Sequence, residues 1–349
     1  MTTQENATTK KKEPLLPEAQ MMQTLGACFI SQAAYVAAKL GIADLLADNP
    51  KPVAELAIAS ETDERSLYRV LRTLAMVGIF LETEPKVFAN TPVSETLRSD
   101  APNSLRDTAI WIGEEPHWRV YGEMLYSVRT SKPAWKRVHG QDAFPYLFET
   151  NRELGDIFNR AMKSFSGTTI PAIIEAYDFS GIGVLADVAG GYGHLLAGVL
   201  NRYPQMKGVL FDVPYVLEGA PDLLEKEGVA DRVELVRGDF FESIPVTADV
   251  YMLKHIIHDW YDEQSIMIMK NIRASMPNHS KILILDMVIP EGNEPHFGKI
   301  LDLEMLVSPG GVERTETEFR ELLAASGFRL NRVVPTKSIV SIIEAIKAD

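Results

Sequence analysis

Residues 327–347 read "GFRLNRVVPTKSIVSIIEAIK". Two apolar runs there are separated only by about Pro335-Thr336-Lys337. A parallel crossover needs roughly a dozen residues, so these two strands must form an antiparallel hairpin. Upstream, from Val184, strands and helices alternate. The strands read "VLADV" (184–188), "GVLFDV" (208–213), "VELVRGD" (233–239), "DVYMLKHI" (249–256) and "KILILDMVI" (281–289), with segments of helical length between most of them. Runs without polar alternation mark strands buried on both faces of a parallel sheet. The expected fold is therefore α/β: a Rossmann-like sheet of five parallel strands closed by an antiparallel hairpin. The usual dinucleotide-dehydrogenase sheet does not end this way.

The first of these strands runs into "VLADVAGGYGHLLAGVL" (184–200), a strand, a glycine turn and a helix. Gly190, Gly191 and Gly193 allow tight turning and close approach of a ligand to the backbone. Counted from Gly191, the last glycine of a dinucleotide fingerprint would fall on Leu196, so that fingerprint is incomplete. No Gly-Lys-Ser/Thr follows, which rules out a nucleoside-triphosphate P-loop. Asp187 ends the first strand, and Asp212 ends the second, 25 residues later. A carboxylate at that second position can accept both ribose hydroxyls of a nucleoside. "RGDFF" follows the third strand, with Asp239 placed for an adenine amino group and Phe240 for its ring. A lone aspartate at a strand end is more often a turn former. Three acidic strand ends in order, after a glycine turn, favour a nucleoside.

The fourth strand leads into "MLKHIIHDWYDE" (252–263). His258 there reads in three ways: a catalytic base, a metal ligand with His255, Asp259 and Asp262, or a polar residue ending a strand.

The chain has 349 residues, 46% hydrophobic and 24% charged, which suits two soluble domains with real cores. A formal net charge of −13 counts against a nucleic-acid partner, since phosphate contacts need a basic face. The one cysteine, Cys28, cannot form an internal disulfide or a thiolate cluster, so a reducing cytoplasm is expected. No apolar run is long enough for a bilayer, and no membrane partner is expected.

Residues 1–14 read as a frayed tail. Residues 17–47 show broad helical apolar spacing up to a stop at Gly41, which calls for either intrachain cover or a second copy of the chain. Residues 52–97 read as a winged-helix-like module, so 15–100 form one domain. Its second helix starts on Asp63 and stops at Gly78, and its hairpin turns at Pro85. Arg65, Arg69 and Arg72 share a face, but six basic against eight acidic residues in 51–100 favour a solvated surface over DNA binding. Residues 101–180 are helical and aromatic-rich, a linker that supplies substrate-pocket residues, and 181–349 form the nucleoside-binding domain.

"DVAGGYG", "FDVP", "GDFF", "LKHIIHDWYDE" and "SPGGVERTETEF" together resemble the plant-type small-molecule O-methyltransferases, the caffeate and hydroxyindole (acetylserotonin) O-methyltransferase family, including its bacterial members. The resemblance covers nearly the whole chain. It implies a class I methyltransferase sheet, an N-terminal dimerisation domain and a homodimer. It further implies S-adenosyl-L-methionine (SAM) as cofactor and a small phenolic or hydroxylated aromatic substrate, with no metal. It places the catalytic base on His258 and its two flanking carboxylates on Asp286 and Glu313. The family commonly has Glu at the first of these, and aspartate is one methylene shorter. Lys254 matches a cofactor-contacting position, near the adenine. Phe158, Met162, Ser166 and Met305 match positions lining the phenol pocket. One departure is Ala189, where the family often has a third glycine.

Competing readings are a nicotinamide-dependent oxidoreductase, a winged-helix regulator that binds a small ligand, and a methyltransferase fold diverted to decarboxylation or hydroxylation. The incomplete fingerprint and the closing hairpin oppose the first. Acidity and an intact His258 oppose the second.

Overall fold

The computed structural model describes residues 16–348; the tail expected at 1–14 lies outside these, as do the side chains of Phe165, Ser166 and Thr168. The chain divides into two compact units, one up to Glu114 and one from Glu115.

The N-terminal unit opens with the helix Pro17–Lys39. Proline at its first position costs nothing, since that N–H has no helical partner anyway. Gly41 ends the pattern at φ +66°, a left-handed turn that suits glycine. The second half of the helix packs: Ala37 and Ala38 join Ile42, Leu56, Leu67, Leu71, Leu74, Phe80 and Phe88 in the buried core of this unit. The first half does not, and Met21, Met22, Leu25 and Phe29 are 59–75% exposed. The helix Glu64–Met76 starts where Asp63 caps it, accepting the Ser66 N–H at 2.8 Å. Strands β1 (Lys51–Pro52), β2 (Phe80–Glu84) and β3 (Val87–Asn90) form a small antiparallel sheet in the order β1-β3-β2. This unit runs past residue 100 because the helix Arg106–Gly113 packs on the first helix. A Cβ on Gly113 would lie 2.2 Å from the Tyr35 ring, so only glycine admits that approach.

The C-terminal unit contains the long helix Arg152–Ala176 and a seven-stranded sheet. Its strands are β4 (Val184–Val188), β5 (Lys207–Asp212), β6 (Val233–Arg237), β7 (Val250–Lys254), β8 (Lys281–Asp286), β9 (Phe328–Pro335) and β10 (Ser341–Lys347). The order is β6-β5-β4-β7-β8-β10-β9. The first five pair in parallel, and β10 pairs antiparallel with both β8 and β9. The expected hairpin thus closes the sheet, with β10 inserted beside β8. Its connection is 336–340, longer than Pro335-Thr336-Lys337. Thr336 and Ser338 hydroxyls bond each other at 2.8 Å and accept the Ser338 and Val340 N–H groups, which takes those amides out of the ladder.

Both sheet faces are buried, as the unbroken apolar runs require. Alternate residues face opposite cores: Ala186, Phe211, Leu253 and Ile284 on one side, and Leu185, Leu210, Met252 and Leu283 on the other. Because β4, β5, β7 and β8 are parallel, Val188, Asp212, Lys254 and Asp286 all end on one edge. Ligands of open α/β sheets bind at that edge.

Candidate active site

The turn after β4 is strained and tightly packed. Ala189 stands at φ +56° and Gly191 at φ +62°, so two residues in three are left-handed. This explains the glycine preference at the first position, since a Cβ there costs about 1–2 kcal/mol. A Cβ on Gly190 would lie 2.5 Å from the Asp187 carboxyl carbon, which forbids any larger residue. Asp212 holds the turn shut: its Oδ2 accepts the Gly191 N–H at 2.9 Å and its Oδ1 the Val213 N–H at 2.7 Å. Burial raises the Asp212 carboxyl, and these two N–H groups oppose that. Asp187 is fully buried, and its Oδ2 has no hydrogen-bond partner. Burial pushes its carboxyl up to about 7, against the attraction of Lys254.

Asp239 is exposed after β6, where its Oδ1 accepts the Phe241 N–H at 2.8 Å. Phe240 is half-buried, edge-on to Phe241 and Trp260 with centroids 4.8 and 6.0 Å away. Lys254, which the resemblance puts near the adenine, ends β7. β7 is on the far side of β4 from β5 and β6, so the charges acting on Lys254 are Asp187 and Asp286. Burial lowers its ammonium and those two carboxylates oppose that.

His258 sits in a short 3-10 turn, Ile257–Asp259, just beyond β7. Its Nδ1 faces Glu313 Oε1 at 2.6 Å, and its Nε2 faces Asp259 Oδ1 at 3.5 Å. The His258 side chain is 10% exposed and that of Glu313 is sealed. Burial disfavours a charged imidazole, but Asp259, Glu313 and Asp286 outweigh it and push His258 up to about 10. Asp286 is fully buried and hydrogen-bonds neither histidine, and its nearest imidazole contact is His255 Nδ1 at 3.6 Å. A shorter side chain at 286 therefore stops short of His258.

Of the acidic residues in the first metal grouping, Asp262 is diverted: its Oδ1 accepts Arg314 Nη2 and Nε at 2.8 and 3.1 Å. His255, His258 and Asp286 instead offer donor atoms within 4.8 Å of one another.

Phe158 and Met162 are one turn apart on the helix Arg152–Ala176. The Phe158 ring meets Phe144 and Phe148 edge-on, both at 6.3 Å, and these two are 36% and 40% exposed. Ser166 follows on the same helix, its side chain outside the described set. Met305 is buried on the helix Gly298–Val307, and its carbonyl accepts the Gly310 and Gly311 N–H groups.

Four supporting residues escaped the sequence reading. Arg314 is 2% exposed and donates to the Ile257 and Trp260 carbonyls at 3.1 and 2.9 Å, fixing the His258 turn. Asp302 accepts the Glu313 N–H at 2.8 Å. Gly311 packs on the His258 backbone, and the Val312 N–H donates to the His258 carbonyl at 2.8 Å. Asp259, part of "HDW", acts on the imidazole as a neighbouring anion, a role the metal grouping does not contain. An arginine beside Glu313 in "VERT" was the one available signal for the first of these.

The sequence pattern of the O-methyltransferase domain matches residues 121–329, and that of the O-methyltransferase dimerisation domain matches 22–100. The chain is 46% identical over 325 residues to the phenazine O-methyltransferase PhzM of Lysobacter antibioticus, covering 93% of this chain and 95% of that one. It is 38% identical to the mitomycin biosynthesis 6-O-methyltransferase of Streptomyces lavendulae, with 87% of each covered. The crystal structure of CalO1, a methyltransferase of calicheamicin biosynthesis bound to S-adenosylhomocysteine (SAH), superposes with a TM-score of 0.85 at 35% identity, over 97% of this chain and all of that one.

Proposed function

The chain belongs to the SAM-dependent small-molecule O-methyltransferase family, and from that premise we propose that it methylates a phenolic hydroxyl on a small aromatic metabolite, with His258 as general base and without a metal. The relatives named for phenazine and mitomycin substrates support an aromatic substrate. The single cysteine fits a cytoplasmic setting, and no helix among the described residues is long and apolar enough to cross a membrane.

The residues present fit SAM. The unpaired, buried Oδ2 of Asp187 suits a cationic ligand beside the glycine turn. Asp212 uses one lone pair of each oxygen on the turn and keeps the others for ribose hydroxyls. Asp239 and Phe240 offer an acceptor and a ring edge for the adenine. When bound, SAM supplies a sulfonium methyl, open to in-line attack by an oxygen nucleophile.

The chain's own residues prepare that oxygen. A phenol's pKa lies near 10, so at neutral pH it needs a base. The carboxylates around His258 raise its basicity and stabilise the imidazolium that forms when it takes the phenol's proton. Glu313 occupies Nδ1, so Nε2 is the nitrogen left to take the proton. The His258–Glu313 contact of 2.6 Å is the observation that carries this reading. It is tested by following SAH release from labelled SAM with a panel of phenols in excess EDTA. Undiminished turnover is expected; loss of activity that returns with added divalent ion would favour a metal at His255, His258 and Asp286.

Asp212→Ala should weaken SAH binding by more than about 1 kcal/mol, because a charged acceptor is lost and the Gly191 turn is released. Calorimetry with SAH reads this directly, and an unchanged affinity would remove Asp212 from the cofactor site. The exposed apolar stripe of Met21, Met22, Leu25 and Phe29 lies at the start of the matched dimerisation domain, and a homodimer follows from it. The protein should sediment as a dimer at micromolar concentration, and Leu25→Glu with Phe29→Glu should yield monomer. A wild-type monomer under those conditions counts against the dimer.

A further inference from the structure

A second imidazole stands beside the base, and the mechanism above does not use it. His255 follows β7 directly and takes a left-handed backbone, φ +54°, rare for a residue with a Cβ. Its N–H donates to the Leu285 carbonyl at 3.2 Å, which ties the strained residue to β8. Strain of this kind persists where the surroundings over-determine it, often at functional positions. Here it brings the His255 ring centroid to 5.1 Å from that of His258, with the planes 34° apart.

Each histidine has a sealed carboxylate on its Nδ1 side, hydrogen-bonded for His258 and not for His255. His258 Nδ1 faces the sealed carboxylate of Glu313, and His255 Nδ1 faces the sealed carboxylate of Asp286 at 3.6 Å. His255 Nδ1 is buried, as are both Asp286 oxygens, and none of the three has a hydrogen-bond partner. The His255 side chain is nonetheless 21% exposed, so the open part of its ring lies away from Nδ1. With Nδ1 sealed on the Asp286 side, Nε2 is the ring nitrogen toward the open part of the site, and in the Nδ1–H form of the ring it accepts a hydrogen bond.

Resting on the reading of His258 as base, we propose that His255, aligned by Asp286, is a specificity-determining residue that accepts a hydrogen bond from a second hydroxyl or amino group close to the methylated hydroxyl on the same ring. Two imidazoles side by side match two donors on neighbouring ring positions. A monophenol that covers the His255 ring leaves its Nε2 without a partner, and an acceptor so buried costs affinity or rate. A donor on a remote ring position does not reach it.

The test compares 2-naphthol, 2,3-dihydroxynaphthalene and 2,6-dihydroxynaphthalene. SAH release with the wild-type protein gives kcat/KM for each, and calorimetry on SAH-saturated protein gives each Kd. The 2,3-diol should exceed both others by about tenfold or more in kcat/KM or in affinity. In His255→Phe that ratio should collapse to near one. His255→Gly, which suits the left-handed backbone and removes the ring, should collapse it too and serves if the first variant misfolds. Asp286→Asn, which withdraws the carboxylate, should reduce the ratio in part. His258→Gln separates the two readings: residual full turnover there would sink the base while leaving the ratio test intact. Equal handling of the three compounds by the wild-type protein, binding of none of them, or a ratio that survives in both His255 variants overturns the proposal.

Discussion

His258→Gln is expected to lower kcat by about 10²–10⁴-fold, the usual contribution of a general base. Glutamine keeps the volume and a polar tip but cannot take a proton at neutral pH. SAH affinity should be largely retained, because Asp212 and the glycine turn do not depend on the imidazole. Glu313→Gln should cost less. It leaves a side chain near Nδ1 but removes an anion that raises His258, so the base becomes weaker. The pH profile carries the sign of this effect. Only the unprotonated imidazole can act, so wild-type kcat/KM should climb as pH rises toward the His258 pKa of about 10. In Glu313→Gln that pKa falls, and the climb should move to lower pH. A near-normal kcat in His258→Gln would remove the base assignment, and coincident profiles in the two proteins would remove Glu313's part in it.

Gly311→Ala should be nearly as damaging, although it adds only one methyl group and removes no polar group. A Cβ at 311 would lie 1.9 Å from the His258 carbonyl oxygen and 2.7 Å from the Asp259 backbone. Both neighbours are main chain, so no side chain can swing aside. The turn carrying His258 must separate from the segment carrying Glu313, and the Val312-to-His258 bond at 2.8 Å opens with it. Overpacking of this kind typically costs about 1–3 kcal/mol. A shift of roughly 1 Å between reacting groups can cost about 10²-fold in rate. The expected variant is folded, with a lowered melting temperature and kcat reduced on that scale. SAH binding should change less than kcat, since the glycine turn at 189–193 follows a different strand. Wild-type melting and turnover in Gly311→Ala would show that the two loops do not hold each other.

Much of this could be read along the chain because it is local. Loop length determined that the last two strands are antiparallel, since 336–340 cannot span a crossover. Unbroken apolar runs determined that β4, β5, β7 and β8 are buried on both faces. The strand-glycine-helix run placed the turn, and the spacing of Asp187, Asp212 and Asp239 placed three carboxylates along one edge. Asp63 and Gly78 likewise marked their helix from both ends, with a side-chain cap at one and φ +79° at the other.

Tertiary structure decided what depends on residues remote in sequence. His258 and Glu313 are 55 positions apart, and their pairing follows from where the chain returns after the helix Gly298–Val307. Asp286 faces His255 because its side chain is short and the residue after β7 turns left-handed, a dihedral that no spacing rule reports for histidine. Lys254 lies between Asp187 and Asp286 because β7 inserts beside β4, which strand order alone determines. The first helix looked uniformly apolar, yet only its second half is covered within the chain. Sequence determines which residues seek burial and which can turn. Which of them meet, and with what charge between them, is set by packing, because direction and distance between remote residues are properties of the folded chain.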